Sequence, residues 1–216
     1  MSFSIVIAAL AVAAAAIKMA FWQPRRSMIS GPVPAVSIVP DSERRALEDV
    51  GIELAKAKVE PHVRLVEFTD LECPACRSFH RAVSEVSAEF PGAVGMTFVH
   101  FPLEMHRFAL PAARAMECAD SFGAASTFVD VVFAHQDSLG LIGWGELARR
   151  AGIADTSRIA ICANSAARFD RIDRGIEVGG RLGVNATPTV YLDGTLLGAP
   201  SVAVLRQAIR DRLNKD

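Results

Sequence analysis

The chain has 216 residues, 51% of them hydrophobic, enough for a sizeable core in one elaborated domain or two small ones. Its 23 Lys and Arg against 24 Asp and Glu leave a formal net charge of -1. That balance excludes an electrostatic case for nucleic acid and leaves function to local motifs.

In chain order, the first feature is SFSIVIAALAVAAAAIKMAFW, dominated by apolar residues from 3 to 17. The run has no polar face, so residues 1–22 are expected to form a signal peptide or membrane anchor rather than a core helix. Ala14 and Ala16 offer small residues for cleavage. No Lys or Arg precedes the run, whereas Lys18, Arg25 and Arg26 accompany or follow it. Taken alone, the positive-inside rule would leave those on the cytoplasmic side. A cleaved signal and a retained anchor both stay open. Residues 23–61 read as a linker and N-terminal extension. QPRRSMISGPVPAVSIVP is rich in Pro and Ser, with one strand expected at PAVSIV. DSERRALEDVGIELAKAK predicts a helix with Ser42 as N-cap and with Leu47, Val50 and Leu54 at helical spacing.

VRLVEFTD (63–70) is β-branched and aromatic, as a buried strand should be. After FTDLECPACRSFH, residues Cys76, Phe79, Val83, Val86 and Phe90 recur at spacings of 3, 4, 3 and 4, one apolar stripe on a helix that Pro91 and Gly92 end. AVGMTFVHFPL (93–103) predicts a second strand, parallel to the first through a right-handed crossover. Residues 104–183 read mostly helical, with FVDVVFAHQ, GELARRAG and ARFDRIDRGIEVGG the clearest segments. TPTVYLDGTLLG then reads as a hairpin turning at Asp193-Gly194. A last helix begins at the N-cap Ser201, with Val202, Leu205, Ile209 and Leu213 on one face.

This order places Cys73 at a strand-to-helix corner, on the edge of a parallel pair where α/β sheets gather their sites. Pro74 occupies the favoured first-turn position. A thiol there faces the positive end of the helix dipole and free N–H groups, which stabilise the thiolate. Cys76 lies one turn inside and deeper. Cys73 is therefore expected to attack and leave, and Cys76 to resolve the mixed disulfide. A stabilised Cys73 thiolate favours the reduced form and makes the disulfide form an oxidant. Zinc would need four ligands, and neither Cys118 nor Cys162 brings a close partner, so no metal and no cofactor is expected. Two inert core cysteines would leave Pro74 unexplained. Asp70 and Glu72 bring negative charge next to Cys73 and are expected to oppose its thiolate and temper the oxidant. His80 and His106 receive no role.

VEFTDLECPACRSFH resembles the active-site segment of DsbA-like thiol:disulfide oxidoreductases of the thioredoxin superfamily. VHFPLEMH (99–106), ARAMECAD and GVNATPTVYLDG (183–194) extend the resemblance over about residues 62–214. It implies an α/β, thioredoxin-like fold: a central mixed sheet flanked by helices, in a domain spanning 62–216 with a helical insertion at about 104–183. It implies a redox-active disulfide between Cys73 and Cys76, with Pro188 as a cis-proline facing it. Thr187, just before, would pair its backbone with an extended substrate. It places a buried acid at Glu67, whose raised pKa would serve proton transfer with Cys76; an exposed strand face is the alternative. Cys118 and Cys162 are either a disulfide tying two helices of the insertion or two unpaired thiols. The implied partners are unfolded or reduced protein substrates and a membrane redox partner, a quinone-linked oxidase or an electron donor. The implied location is the periplasm or cell envelope, since the chemistry needs an oxidising compartment. Disulfide formation is the expected direction. A reductase or isomerase on the same fold, or a non-catalytic peptide-binding module, is the alternative.

Overall fold

Alternation along one strand sets the architecture. The computed structural model describes residues 38–60 and 62–215, so the apolar run at 1–22 and most of the strand expected at PAVSIV lie outside the described residues. Strand β2 (Val63–Thr69) occupies the middle of a five-stranded sheet whose edge strands are β1 (Ile52–Ala55) and β5 (Thr195–Gly198). Its neighbours are β3 (Val94–His100), parallel in register from Val63↔Val94 to Thr69↔His100, and β4 (Thr189–Leu192), antiparallel. Successive side chains of a strand point to opposite faces. Val63 and Leu65 therefore join Val94, Met96, Val190 and Leu192 on one face. There they meet Phe79, Val83 and Val86 of helix α2 (Pro74–Glu89) and Leu205 and Ile209 of the C-terminal helix Val202–Leu213. Phe68 lies on the other face with Val99 and Tyr191, against Leu47 and Val50 of α1 (Asp41–Val50) and Val178 of the helix Asp170–Arg181. Each fully buried Val, Leu or Phe contributes roughly 1.5–3 kcal/mol. The result is the central mixed sheet flanked by helices that the resemblance implies.

The helix expected across residues 41–58 is two elements. α1 stops at Val50, and Ile52–Ala55 forms β1, antiparallel to β3. Gly51 makes the joint in extended conformation, at a spot where a Cβ would lie 2.2 Å from Cγ2 of Thr97. Leu47 and Val50 face α1's side of the sheet, whereas Leu54 packs into the clusters of the opposite side. Its helical spacing is coincidental, because β3's open edge claims residues 52–55 as a strand. Pro40, rather than Ser42, precedes the helix, and no side chain caps it. The sheet thus begins at Ile52, ahead of residue 62.

Between β3 and β4 run the remaining helices: α3 (Ala109–Ser121), α4 (Ala125–Ala134), a 3-10 turn at Gln136–Ser138, α5 (Trp144–Arg150), α6 (Thr156–Asn164) and α7 (Asp170–Arg181). α3 to α6 build a core of their own that includes Phe128, Val132, Leu147 and Ile159 and reaches Cys73 and Cys76. In this structure a disulfide joins Cys118 on α3 to Cys162 on α6, with Cα atoms 6.4 Å apart and a sequence separation of 44. Closing a loop of that size removes about 4 kcal/mol of unfolded-chain entropy. β4 and β5 (Thr195–Gly198) form the hairpin, and Asp193 (φ 46) and Gly194 (φ 77) take the left-handed conformations its tight turn requires. Ser201 caps α8 (Val202–Leu213), its Oγ accepting from Val204 N at 3.3 Å. No helix among the described residues is long and apolar enough to cross a membrane.

Candidate active site

β2 delivers the chain to the edge of the sheet, where Asp70–Cys73 turn it into α2. Cys73 is the N-cap and Pro74 the first helical residue, and Cys73 N donates to Asp70 O at 3.1 Å to close the turn. Both cysteines are free thiols here, Cys73 at 6% exposure and Cys76 at 0%. The two diverge in acidity. A hydrogen bond from the Cys76 thiol is the main influence holding Cys73 down at about 5; burial opposes it, and Thr187 and the N–H groups of Cys76 and Ala75 reinforce it. Burial pushes Cys76 far up, helped by its role as donor to Cys73 and by the charge of Glu67. One thiol is thus ionised at neutral pH, and its neighbour keeps the proton.

Glu67 lies on β2, 2% exposed, in register with Phe98 and Val190. Burial raises its pKa to about 8; hydrogen bonds with Thr69 and Cys76 act against the rise, and the charge of Cys73 adds to it. Its Oε1 has no partner among the described residues. The chain reaches the site again at Thr187-Pro188, a cis peptide, where the Thr187 carbonyl oxygen lies 3.3 Å from the Cys73 sulfur. The structure therefore brings together Cys73, Cys76, Glu67, Thr187 and Pro188, and keeps Cys118 and Cys162 as a separate pair in the insertion.

The carboxylates flanking the motif depart from expectation. Asp70 accepts from Glu72 N (2.8 Å), Leu103 N (2.9 Å) and His106 Nδ1 (2.7 Å). Glu72 accepts from Phe108 N at the start of α3. Their charges are met by loop amides and an imidazole, and Cys73 stays near 5. His80 bonds Asp130 on α4 at 2.7 Å, with its ring against Phe133. One residue escaped the sequence reading, and another was named there without a role. Gln136, buried, donates through Nε2 to the carbonyls of Leu71 (2.9 Å) and Cys73 (3.0 Å) and so holds the redox turn. His106 reaches the same turn through Asp70. A polar residue at the end of the apolar FVDVVFAHQ was the one hint of Gln136.

An acidic, nucleophilic thiol beside a buried protonated one is chemically suited to exchanging disulfides, and the mixed sheet that carries the pair has a thioredoxin-like fold. The thioredoxin family model matches residues 56–211, and the chain belongs to that family. It is 33% identical over 163 residues to the Na(+)/H(+) antiporter NhaA 1 of Mycolicibacterium gilvum (strain PYR-GCK), a match taking in 68% of this chain and 26% of that protein. The chain spans about a quarter of the length of the first such curated relatives. Among solved structures, a thioredoxin-like oxidoreductase from Silicibacter pomeroyi DSS-3 has a TM-score of 0.64 at 23% identity, covering 80% of this chain and 98% of that one. Wolbachia pipientis alpha-DsbA1 has a TM-score of 0.61 at 20% identity, covering 76% and 92%. These two likenesses speak for the fold.

Proposed function

We propose that the protein is a disulfide-forming oxidant acting on reduced protein substrates outside the cytoplasm. The observation that carries this reading is the Cys73 thiol held near 5 at the start of α2. A thiolate so stabilised favours the dithiol, and therefore makes the disulfide eager to accept electrons.

The exchange runs as follows. A substrate thiolate attacks Cys73 Sγ of the Cys73–Cys76 disulfide, forming a mixed disulfide and expelling the Cys76 sulfur. That sulfur has high proton affinity and takes a proton, for which Glu67, neutral below about pH 8 and bonded to Cys76, is the nearest source. A second substrate thiolate then attacks the substrate sulfur, and Cys73 departs as a stable thiolate. The substrate loses two electrons and the enzyme gains them; a membrane redox partner, quinone-linked, would remove them. If no second substrate thiol attacks, Cys76 resolves the mixed disulfide instead. The Thr187 backbone beside Cys73 would pair with an extended substrate. Export is supported by the apolar run at residues 1–22, proposed as signal or anchor ahead of a linker, and by the Cys118–Cys162 pair, a bond that persists in oxidising compartments.

Two measurements test the reading. Cys73→Ser should abolish oxidation of a reduced peptide, while Cys76→Ser should accumulate mixed disulfides with it; full activity of the first variant would refute the assignment. Redox titration of the couple should give a potential well above thioredoxin's, which is roughly -270 mV. A value at or below that would make the protein a reductase.

A further inference from the structure

We propose that His106 is a positioning residue for Cys73: as an imidazolium bonded to Asp70, it neutralises the buried carboxylate behind the redox turn and so helps hold Cys73 as the thiolate. The inference rests on Cys73 being the reactive thiol, and not on the direction in which electrons flow.

The geometry is a clamp made of two loops. Asp70, whose side chain is fully buried, begins the turn that ends at Cys73. Its Oδ1 accepts from Glu72 N inside that turn, and its Oδ2 accepts from Leu103 N and His106 Nδ1 in the loop after β3. A buried carboxylate beside a thiolate is a repulsive arrangement unless a cation offsets it. The charged groups acting on His106 across the clamp are Asp70 and Glu72 of the turn and Cys73 of α2, all anionic. On its own loop its sequence neighbours are Met105 and Arg107, whose guanidinium lies over Phe108, and Glu104 comes one residue earlier. Glu72 is engaged by Phe108 N. His106 is thus the cation bonded to Asp70.

Burial alone would lower the pKa of His106, but the hydrogen bond and charge of Asp70, followed by the charges of Cys73 and Glu72, raise it. Coupling between two titrating groups is reciprocal. If the Cys73 charge favours the imidazolium, the imidazolium favours the Cys73 thiolate by the same free energy. The histidine stays protonated throughout the range in which Cys73 ionises, near pH 5.

The test is a thiolate titration by ultraviolet absorbance in the reduced protein, with near-ultraviolet circular dichroism to verify folding. His106→Gln keeps a donor for Asp70 and removes the charge; it should raise the Cys73 pKa by about one unit, roughly a tenfold loss of thiolate at a pH below both values. Asp70→Asn removes the opposing charge and should move Cys73 the other way. A clamp with a purely architectural role would shift both variants alike, and such a result, or no shift in His106→Gln, would overturn the proposal. A third readout needs no substitution. By NMR, His106 should titrate at higher pH in the reduced protein than in the oxidised one, where the Cys73 charge is gone; equal values would sink the idea. None of these readouts depends on turnover, so failure here is distinct from failure of the oxidant assignment, which the redox potential decides.

Discussion

Glu67 shows how one residue can be legible in type and opaque in strength. VEFTD marks it as an acid inside a β-branched run, and alternation places it opposite Val66 and Phe68. What no pattern gives is its setting under Cys76 with an oxygen unpartnered among the described residues. The consequence is thermodynamic. Its folded pKa of about 8 exceeds the ordinary 4.5, so between those values the folded state binds the proton that the unfolded chain has lost. Stability contributed by the neutral form is complete below pH 4.5 and falls as pH rises toward 8. Glu67→Gln should therefore stabilise the protein by about 2–3 kcal/mol at pH 7 and flatten that fall, as read by denaturant unfolding across pH. A variant no more stable than the parent would show that the buried carboxyl is better satisfied than its orphaned oxygen suggests. Gln136 is the opposite case, since its two partners lie 63 and 65 residues upstream and no local period can join them.

At the level of elements, strands and helices with strong periods were readable: VRLVEFT, the stripe from Cys76 to Val86, the Asp193-Gly194 turn and the Ser201 cap. Residues 41–58 were misread because Leu47, Val50 and Leu54 satisfy a helical period that tertiary pairing overrides. The glycines of α7 carry another hidden constraint. A Cβ on Gly175 would lie 2.5 Å from the His100 carbonyl, whereas one on Gly180 would meet nothing within 4 Å. The two backbones can approach only because residue 175 has no side chain. Gly175→Ala should destabilise by about 1–3 kcal/mol through overpacking. Gly180→Ala, in the same helix, should stabilise by about 0.5–1 kcal/mol through helix propensity. Thermal unfolding of the pair checks both signs, and equal shifts would mean that α7 does not seat on β3 as closely as drawn.

For the whole molecule, redox state and folding are one linked equilibrium. In the dithiol form Cys73 ionises near 5 when folded and near 9 when unfolded, so stability is gained above pH 5, where the folded protein releases its proton first. In the disulfide form nothing titrates at Cys73. The stability of the reduced protein relative to the oxidised should grow with pH from 5 by about 1.4 kcal/mol per unit and be lost as pH falls through 5. Parallel unfolding curves of the two forms at several pH values test this; a gap constant between pH 5 and 7 would contradict it.

The Gln136 contacts also bear on modularity. The backbone that presents the reactive sulfur is held by a side chain from the insertion, while Glu72 returns the favour by accepting from the amide of Phe108, the residue at the N-cap of α3. Scaffold and elaboration are therefore interlocked at the site itself. An engineer who cut residues 104–183 to reach a minimal oxidoreductase would not obtain a smaller working version. The trimmed chain would keep both cysteines and lose the side chain that holds the turn leading into them.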